Sequence, residues 1–205
     1  MLLIKKTKQW GDVNLPSGKL IATDYLLIDA DASILTPQQV IDFNVRDVTD
    51  AQLISDLQRL DHDVWDGEVR RMTTGPNPLS DPLTGDDLAS HLRGAKYIAK
   101  RNASIAYAGK YQALSTKEGA LEQASWAQQL QEAQSYVADN QAPTPLLSML
   151  AEVRGVTVAQ FANTVVAAAA AYTQSRDDLL SELRTIHQQI DEATTAVELK
   201  NLGWY

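Results

Sequence analysis

Residues 157–193 read TVAQFANTVVAAAAAYTQSRDDLLSELRTIHQQIDEA, a stretch without glycine or proline. Apolar side chains recur along it every seven residues, and a second seam follows four residues behind the first, interrupted by one arginine. This period predicts a long helix that packs against another helix running alongside it. At 1.5 Å per residue, the helix would be roughly 50 Å long. The two seams consist of Val158, Val165, Tyr172, Leu179, Ile186 and Ala193, and of Ala162, Ala169, Arg176, Leu183, Ile190 and Val197.

The composition limits the classes of protein that the chain can belong to. It has 205 residues, of which 44% are hydrophobic and 6% aromatic, and its formal net charge is −8. An acidic chain is a poor match for nucleic-acid binding over its whole surface. The absence of cysteine excludes disulfides and thiolate metal sites, and fits a reducing compartment such as a bacterial cytoplasm. We expect neither a signal peptide nor a transmembrane helix, because no apolar run is long enough.

The first part of the chain combines strand and helix signals. Leu2–Ile4 and Leu20–Ile28 are rich in β-formers, and residues 14–18 (NLPSG) indicate a turn between them. From residue 36 onwards, a capping residue followed three positions later by Gln or Glu recurs five times, which predicts helix starts. These patterns begin at Thr36, Thr49, Ser115, Thr157 and Thr195.

The remainder is predicted to be nearly all helical, with helices over 88–113, 115–138, 144–154 and 157–193. The stripe of the second helix comprises Trp126, Leu130, Ala133 and Val137, and we expect it to lie against the long helix, with the short one as the corner. The fold class is therefore mainly α: a small mixed α/β N-terminal domain followed by a C-terminal helical hairpin or small bundle with a long coiled-coil-like helix. The predicted divisions are a docking domain over 1–72, a Pro/Gly-rich linker or loop over 73–87 and a helical domain over 88–205.

No stretch of the sequence predicts catalysis or metal binding. Residues 61–63 (DHD), with Asp66 nearby, are interpreted as a solvated helix end, because adjacent side chains point in different directions. Residues 29–33 (DADAS) resemble the start of a calcium loop, but Ile34 and Val40 occupy the positions that need glycine and glutamate. Three isolated histidines make a zinc site improbable. We expect no catalytic, cofactor-binding or metal-binding residues, and no enzyme.

A basic segment is the main electrostatic feature. Between Arg93 and Lys117 there are six basic residues, no acidic ones, and three interleaved tyrosines. Stacking of nucleic-acid bases is one interpretation. The favoured one is a docking face for an acidic part of the same chain or of a partner, and residues 1–94, with 15 acidic and 9 basic residues, offer such a complement.

Arg176 interrupts the second apolar seam and has two interpretations. It could fix the helix register by pairing with a nearby carboxylate, such as Asp177 or Asp178. It could also mark the point at which the helix leaves its partner, and this interpretation is slightly favoured.

Residues 144–158, TPLLSMLAEVRGVTV, are followed by the alanine-rich part of the long helix. This arrangement, with the helical stretch from Ala124 to Asn140 upstream, resembles a C-terminal helical domain of unknown function found in tailed-bacteriophage tail, tail-fibre and tail-fibre-assembly proteins. The resemblance covers about residues 115–195. That family has no established catalytic residues to carry over.

The resemblance implies a non-enzymatic structural component of a phage tail, located in the virion near the baseplate or the tail-fibre attachment and made in the bacterial host cytoplasm. The alternatives are a tail-fibre assembly chaperone that is not retained in the virion and, more remotely, an enzyme or nucleic-acid-binding protein. Expected partners are other tail, baseplate or fibre proteins and further copies of the chain, with no nucleic acid, membrane or cofactor. The expected interaction residues are Val158, Val165, Tyr172, Leu179, Leu183, Ile186, Ile190, Trp126, Leu130, Arg93, Lys96, Lys100 and Arg101.

Overall fold

The computed structural model describes residues 1–5, 19–21, 25–30, 32–58, 60, 62–65, 68–71, 84–114 and 120–204. The chain is mainly helical, with a small antiparallel sheet near its N-terminus, as the sequence predicts. Its helices are α1 (Pro37–Asp42), α2 (Ala51–Gln58), α3 (Gly85–Ala113), α4 (Ala120–Ala138), α5 (Pro145–Arg154), α6 (Val158–Glu192) and α7 (Ala196–Asn201). Its strands are β1 (Leu2–Lys5), β2 (Lys19–Ile21), β3 (Tyr25–Ile28), β4 (Arg46–Asp47), β5 (His62–Trp65) and β6 (Glu68–Arg71), and a 3₁₀ turn covers Ala32–Ile34.

The chain divides into two compact units. Unit 1 comprises Met1–Ala103 and Ile186–Tyr205, and unit 2 comprises Ser104–Thr185. The division therefore falls within α3 and within α6, and the C-terminal residues join the N-terminal unit. The linear division predicted at 73–87 stays a prediction, because residues 72–83 lie outside the described part of the chain.

Unit 1 is built on an antiparallel sheet with the strand order β2-β3-β1-β4. Alternate residues point to opposite faces, as in any strand. Leu3, Tyr25 and Leu27 join a buried cluster with α3, the end of α6 and α7, whereas Leu2 and Ile4 join one with Phe43. The sheet thus has both faces covered.

Two sequence predictions about the strands of unit 1 were wrong. The run Leu20–Ile28 does not form one strand: β2 and β3 pair antiparallel, with Ile21 opposite Tyr25, so that each satisfies the other's backbone groups. Residues 62–65 are not a helix end but strand β5, paired with β6 so that Val64 lies opposite Val69. The predicted turn at 14–18 lies outside the described residues.

The helix starts follow the capping patterns closely. The Oγ1 atoms of Thr36, Thr157 and Thr195 each accept a hydrogen bond from the backbone N–H three residues later, which confirms these predictions. For α2, the acceptor is Oδ1 of Asp50 rather than Thr49, at 2.7 Å from the nitrogen of Leu53. The pattern at 115–118 lies outside the described residues.

Unit 2 contains the predicted corner. The helices α4, α5 and the start of α6 share a buried cluster that includes Ala133, Leu147 and Phe161. The C-terminus of α5 ends in a left-handed Gly155 with φ 65°, and the N–H of Val156 donates to the carbonyl of Ala151. This closure turns the chain by 102° between α5 and α6. Among the described helices, no single one is long and apolar enough to cross a membrane; α5 and α6 together reach that length and composition, but only as this bent pair.

Candidate interaction surfaces

The face of α6 predicted from its seven-residue period is the face that the chain itself covers. All twelve seam positions from Val158 to Val197 are buried or half-buried. Only Ala162, Ile190 and Ala193 are fully buried, the first within unit 2 and the other two within unit 1. Val158, Val165, Tyr172, Leu179, Leu183 and Ile186 are half-buried, so each still contributes some surface.

Aromatic and polar contacts occupy the seam in unit 2. The ring of Tyr172 packs edge-on against Trp126, with the centroids 6.2 Å apart, and its hydroxyl donates to that of Tyr111 at 3.2 Å. The hydrogen bond with Tyr111 raises the pKa of Tyr172, and burial adds to the shift. The hydroxyl of Tyr107 donates to Glu182 at 2.9 Å. The middle of the seam therefore faces other helices of the same unit. Leu130, on α4 like Trp126, is half-buried.

Arg176, the exception in the seam, pairs with its neighbour in sequence. Its Nε and Nη2 both donate to Oδ1 of Asp177, at 2.9 and 2.8 Å, and both side chains are largely exposed. This hydrogen bond is the main reason why the pKa of Arg176 is raised. The pair lies at the surface, and among the described residues no carboxylate of another helix pairs with Arg176.

The four basic residues of α3 that the sequence singled out all contact unit 1 itself. Arg93 binds Asp56, and Arg101 donates through Nη2 to the carbonyl of Asn44. The ammonium groups of Lys96 and Lys100 donate to the carbonyl and the carboxylate of Asp191, at 2.7 and 2.6 Å. Among the described residues, the acidic residue that both lysines contact is thus on α6, whereas the acid that binds Arg93 lies within residues 1–94.

Asp56 is a buried carboxylate that the sequence analysis missed. Its Oδ1 accepts from Ser90 at 2.5 Å and from Gln52 and Arg93 at 2.9 Å, and its Oδ2 accepts from Nε of Arg93 at 2.9 Å. Burial by itself raises the pKa of Asp56, but the hydrogen bonds from Arg93, Ser90 and Gln52 outweigh it, so the pKa is lowered. The sequence pattern that could have revealed this burial is helical spacing, since Asp56 shares a helix face with the apolar residues Leu53 and Leu60.

A polar cleft of about 330 Å³ adjoins this carboxylate. The hydrogen bonds to Asp56 come from Gln52 on α2 and from Ser90 and Arg93 on α3, so this carboxylate positions α2 against α3. Within the described residues, no group of three or more His, Asp or Glu side chains could hold a metal ion. The cleft is lined by Gln52, Ser55, Asp86, Asp87, Ser90 and Arg93.

Exposed apolar side chains are concentrated in unit 2. Of the eight large hydrophobic residues that are exposed among those described, six belong to this unit. Met149 and Val153 lie one turn apart on α5 and are 53% and 79% exposed, and Val156 follows at 41%. The sequence analysis identified the buried face of α5 as a corner but missed this outer face. The sequence pattern that could have revealed this face is that apolar residues occur on all sides of this short helix.

No known protein-family model, curated protein or solved structure matches this chain.

Proposed function

We propose that this protein is a non-enzymatic structural component of a bacteriophage tail, in the baseplate or tail-fibre attachment region, that acts through protein–protein packing. The proposal starts from the resemblance of residues 144–158 and the following alanine-rich helix to a domain of phage tail proteins. In the structure, these residues form α5, the left-handed Gly155 and the start of α6. The resemblance thus concerns one structural element, the elbow of unit 2.

The exposed outer face of α5 is the observation that carries the proposal. Exposed apolar side chains are common singly, but two large ones on the same face of a ten-residue helix, with a third just beyond, form a patch. Covering apolar area stabilises an assembly by about 25 cal/mol per Å². A partner that covers Met149, Val153 and Val156 would therefore gain binding free energy without rearranging the buried face of α5.

The geometry of the other candidate sites favours a role in protein–protein packing over a role in catalysis. The carboxylate of Asp56 accepts hydrogen bonds from Ser90, Gln52 and Arg93. The four basic residues from Arg93 to Arg101 bind groups of unit 1. The partners that we propose are other tail, baseplate or fibre proteins and further copies of this chain. The chain would be made in the bacterial host cytoplasm and located in the virion tail.

Quantitative mass spectrometry of purified phage particles from the source host tests this proposal. We expect the chain at a fixed copy number, comparable to that of baseplate or fibre proteins, after repeated purification. Presence in the infected lysate with absence from particles would contradict a structural role and would favour the alternative, a tail-fibre assembly chaperone.

A further inference from the structure

Three cations of unit 1 form a cluster: two of them approach the ring of Tyr25, and the charge of the third acts on one of these two. They are Lys5 at the end of β1, Arg46 on β4 and Arg101 on α3. Within the part of the chain that the structure describes, no carboxylate forms a hydrogen bond or ion pair with any of them. Lys5 and Arg101 both approach the ring of Tyr25, with Nζ and Cζ at 5.7 and 5.9 Å from its centroid. Unlike Arg93 or Lys100, Lys5 and Arg101 contact neutral groups in the described part of the chain.

Neutral hydrogen-bonding groups fix the positions of Lys5 and Arg101. The side-chain oxygen of Asn102 accepts from Nζ of Lys5 at 3.0 Å and from the hydroxyl of Tyr25 at 2.8 Å. The side-chain nitrogen of Asn102 donates to the carbonyl of Trp204 at 2.9 Å, which sets the orientation of the amide. The ammonium group of Lys5 is thus positioned before any ligand arrives, which lowers the entropic cost of binding one.

Arg101 has no negatively charged partner among the residues that the structure describes. Its Nη2 donates to the carbonyl of Asn44, a non-glycine residue with φ 48°, but its Nε is buried and has no hydrogen-bond partner within the described ranges. Burial lowers the pKa of Arg101, and the nearby charge of Arg46 lowers it further. Holding a partly buried guanidinium beside another cation costs free energy, and a bound anion would offset that cost.

We propose that Lys5, Arg46 and Arg101 form a binding site for a phosphate-class oxyanion. A guanidinium fork matches two oxygens of such a group and a lysine supplies a compact charge, so these side chains have the required chemistry. Arg46 is exposed and Lys5 and Arg101 are half-buried, so the site is open to solvent on one side. This inference is independent of the role proposed in a phage tail.

Titration of the full chain with inorganic phosphate tests the site. Calorimetry monitors the binding, at an ionic strength held constant with chloride. We expect saturable binding that Arg46→Gln weakens by roughly tenfold or more, since a charge-assisted hydrogen bond is lost. Arg184→Gln is the matched control: it removes the same charge at an exposed position of α6 in unit 2 and should leave the affinity unchanged. O-Phosphoserine, titrated in parallel, distinguishes free phosphate from a phosphomonoester as the better ligand.

A second variant distinguishes a loss of phosphate binding from a loss of folding. Arg101→Lys keeps the charge but loses the guanidinium fork, and we expect weaker phosphate binding with an unchanged circular dichroism spectrum. Absence of saturable binding by the unmodified chain would overturn the proposal. Equal affinities of the Arg46→Gln and Arg184→Gln variants would also overturn it, because the effect would then be one of net charge.

Discussion

The carboxylate of Glu132 on α4 accepts a hydrogen bond of 2.8 Å from the backbone N–H of Leu147, in the first turn of α5. Thr144, the residue at the cap position, makes no capping bond with its own side chain. A buried side chain from a neighbouring helix therefore supplies the acceptor that a local cap normally provides. This bond joins α4 to the elbow that exposes Met149 and Val153.

Replacement of Glu132 is expected to destabilise the packing of α4 against the bend between α5 and α6. Glu132→Ala leaves the buried N–H of Leu147 without an acceptor, and we expect the free energy of unfolding to fall by about 1–3 kcal/mol. Glu132→Gln keeps an acceptor oxygen and should cost less. Urea unfolding followed by circular dichroism measures both. Glu152→Gln, at an exposed position of α5, is the control, and a loss as large as that of Glu132→Ala would contradict this account.

Two glycines of α3 are expected to respond oppositely to alanine. A Cβ at Gly94 would lie 2.7 Å from the backbone carbonyl oxygen of Asp56, so α2 and α3 would have to move apart. Overpacking costs about 1–3 kcal/mol, and we expect a net decrease in the free energy of unfolding. At Gly109, no atom lies within 4 Å of the Cβ, so alanine should stabilise the helix by about 0.5–1 kcal/mol. Thermal unfolding of the two variants shows whether each substitution raises or lowers the stability. A stabilising effect of Gly94→Ala would contradict the close approach of α2 and α3 at this position.

The paired carboxylate of Asp56 predicts a dependence of stability on pH. Because the folded pKa of Asp56 is lowered, its contribution is fully present above the ordinary pKa of aspartate, about 3.9. It is lost as the pH falls through the lower, folded value. Asp56→Asn removes the ion pair with Arg93, and we expect a loss of about 1–3 kcal/mol at neutral pH.

Denaturant unfolding at neutral pH and at pH values from 4 downwards checks this prediction. The difference between the unmodified chain and Asp56→Asn should shrink as the pH falls. Asp177→Asn is the control, because it breaks an exposed pair with Arg176 that should add little stability. A difference that stays constant over the whole range would show that the charge of Asp56 does not contribute.

Local patterns in the sequence predicted the helices well because their physical causes are local. The seven-residue period of α6 identified a face on which every position is buried or half-buried, and the caps at Thr36, Thr157 and Thr195 depend on residues three positions apart. The strand pairing was predicted less well. The β-rich run 20–28 contains two strands, and propensity does not show where a strand ends when the next one pairs with it.

Contacts between distant residues could not be predicted in this way. Asp56 and Arg93 are 37 positions apart, and Lys100 and Asp191 are 91 apart. Nothing in the local sequence tells which acid a given lysine will meet, since the topology of the fold decides it. For the same reason, the sequence did not predict that the end of α6 and α7 belong to unit 1.

The central claim, that the exposed face of α5 packs against other proteins of a phage tail, is tested most directly by incorporation of variants into particles. Met149→Gln with Val153→Gln makes this face polar and retains helix propensity. Ser148→Gln with Glu152→Gln is the matched control, with the same new side chains at exposed positions one residue earlier. Both variants should fold as the unmodified chain does, which circular dichroism verifies.

The measurement is the copy number of each variant in purified particles after complementation of a phage that lacks the gene. The account predicts normal incorporation of the unmodified chain and of the control, and loss of most or all of the Met149/Val153 variant. Equal copy numbers for all three chains, or absence of the unmodified chain from the particles, would contradict it.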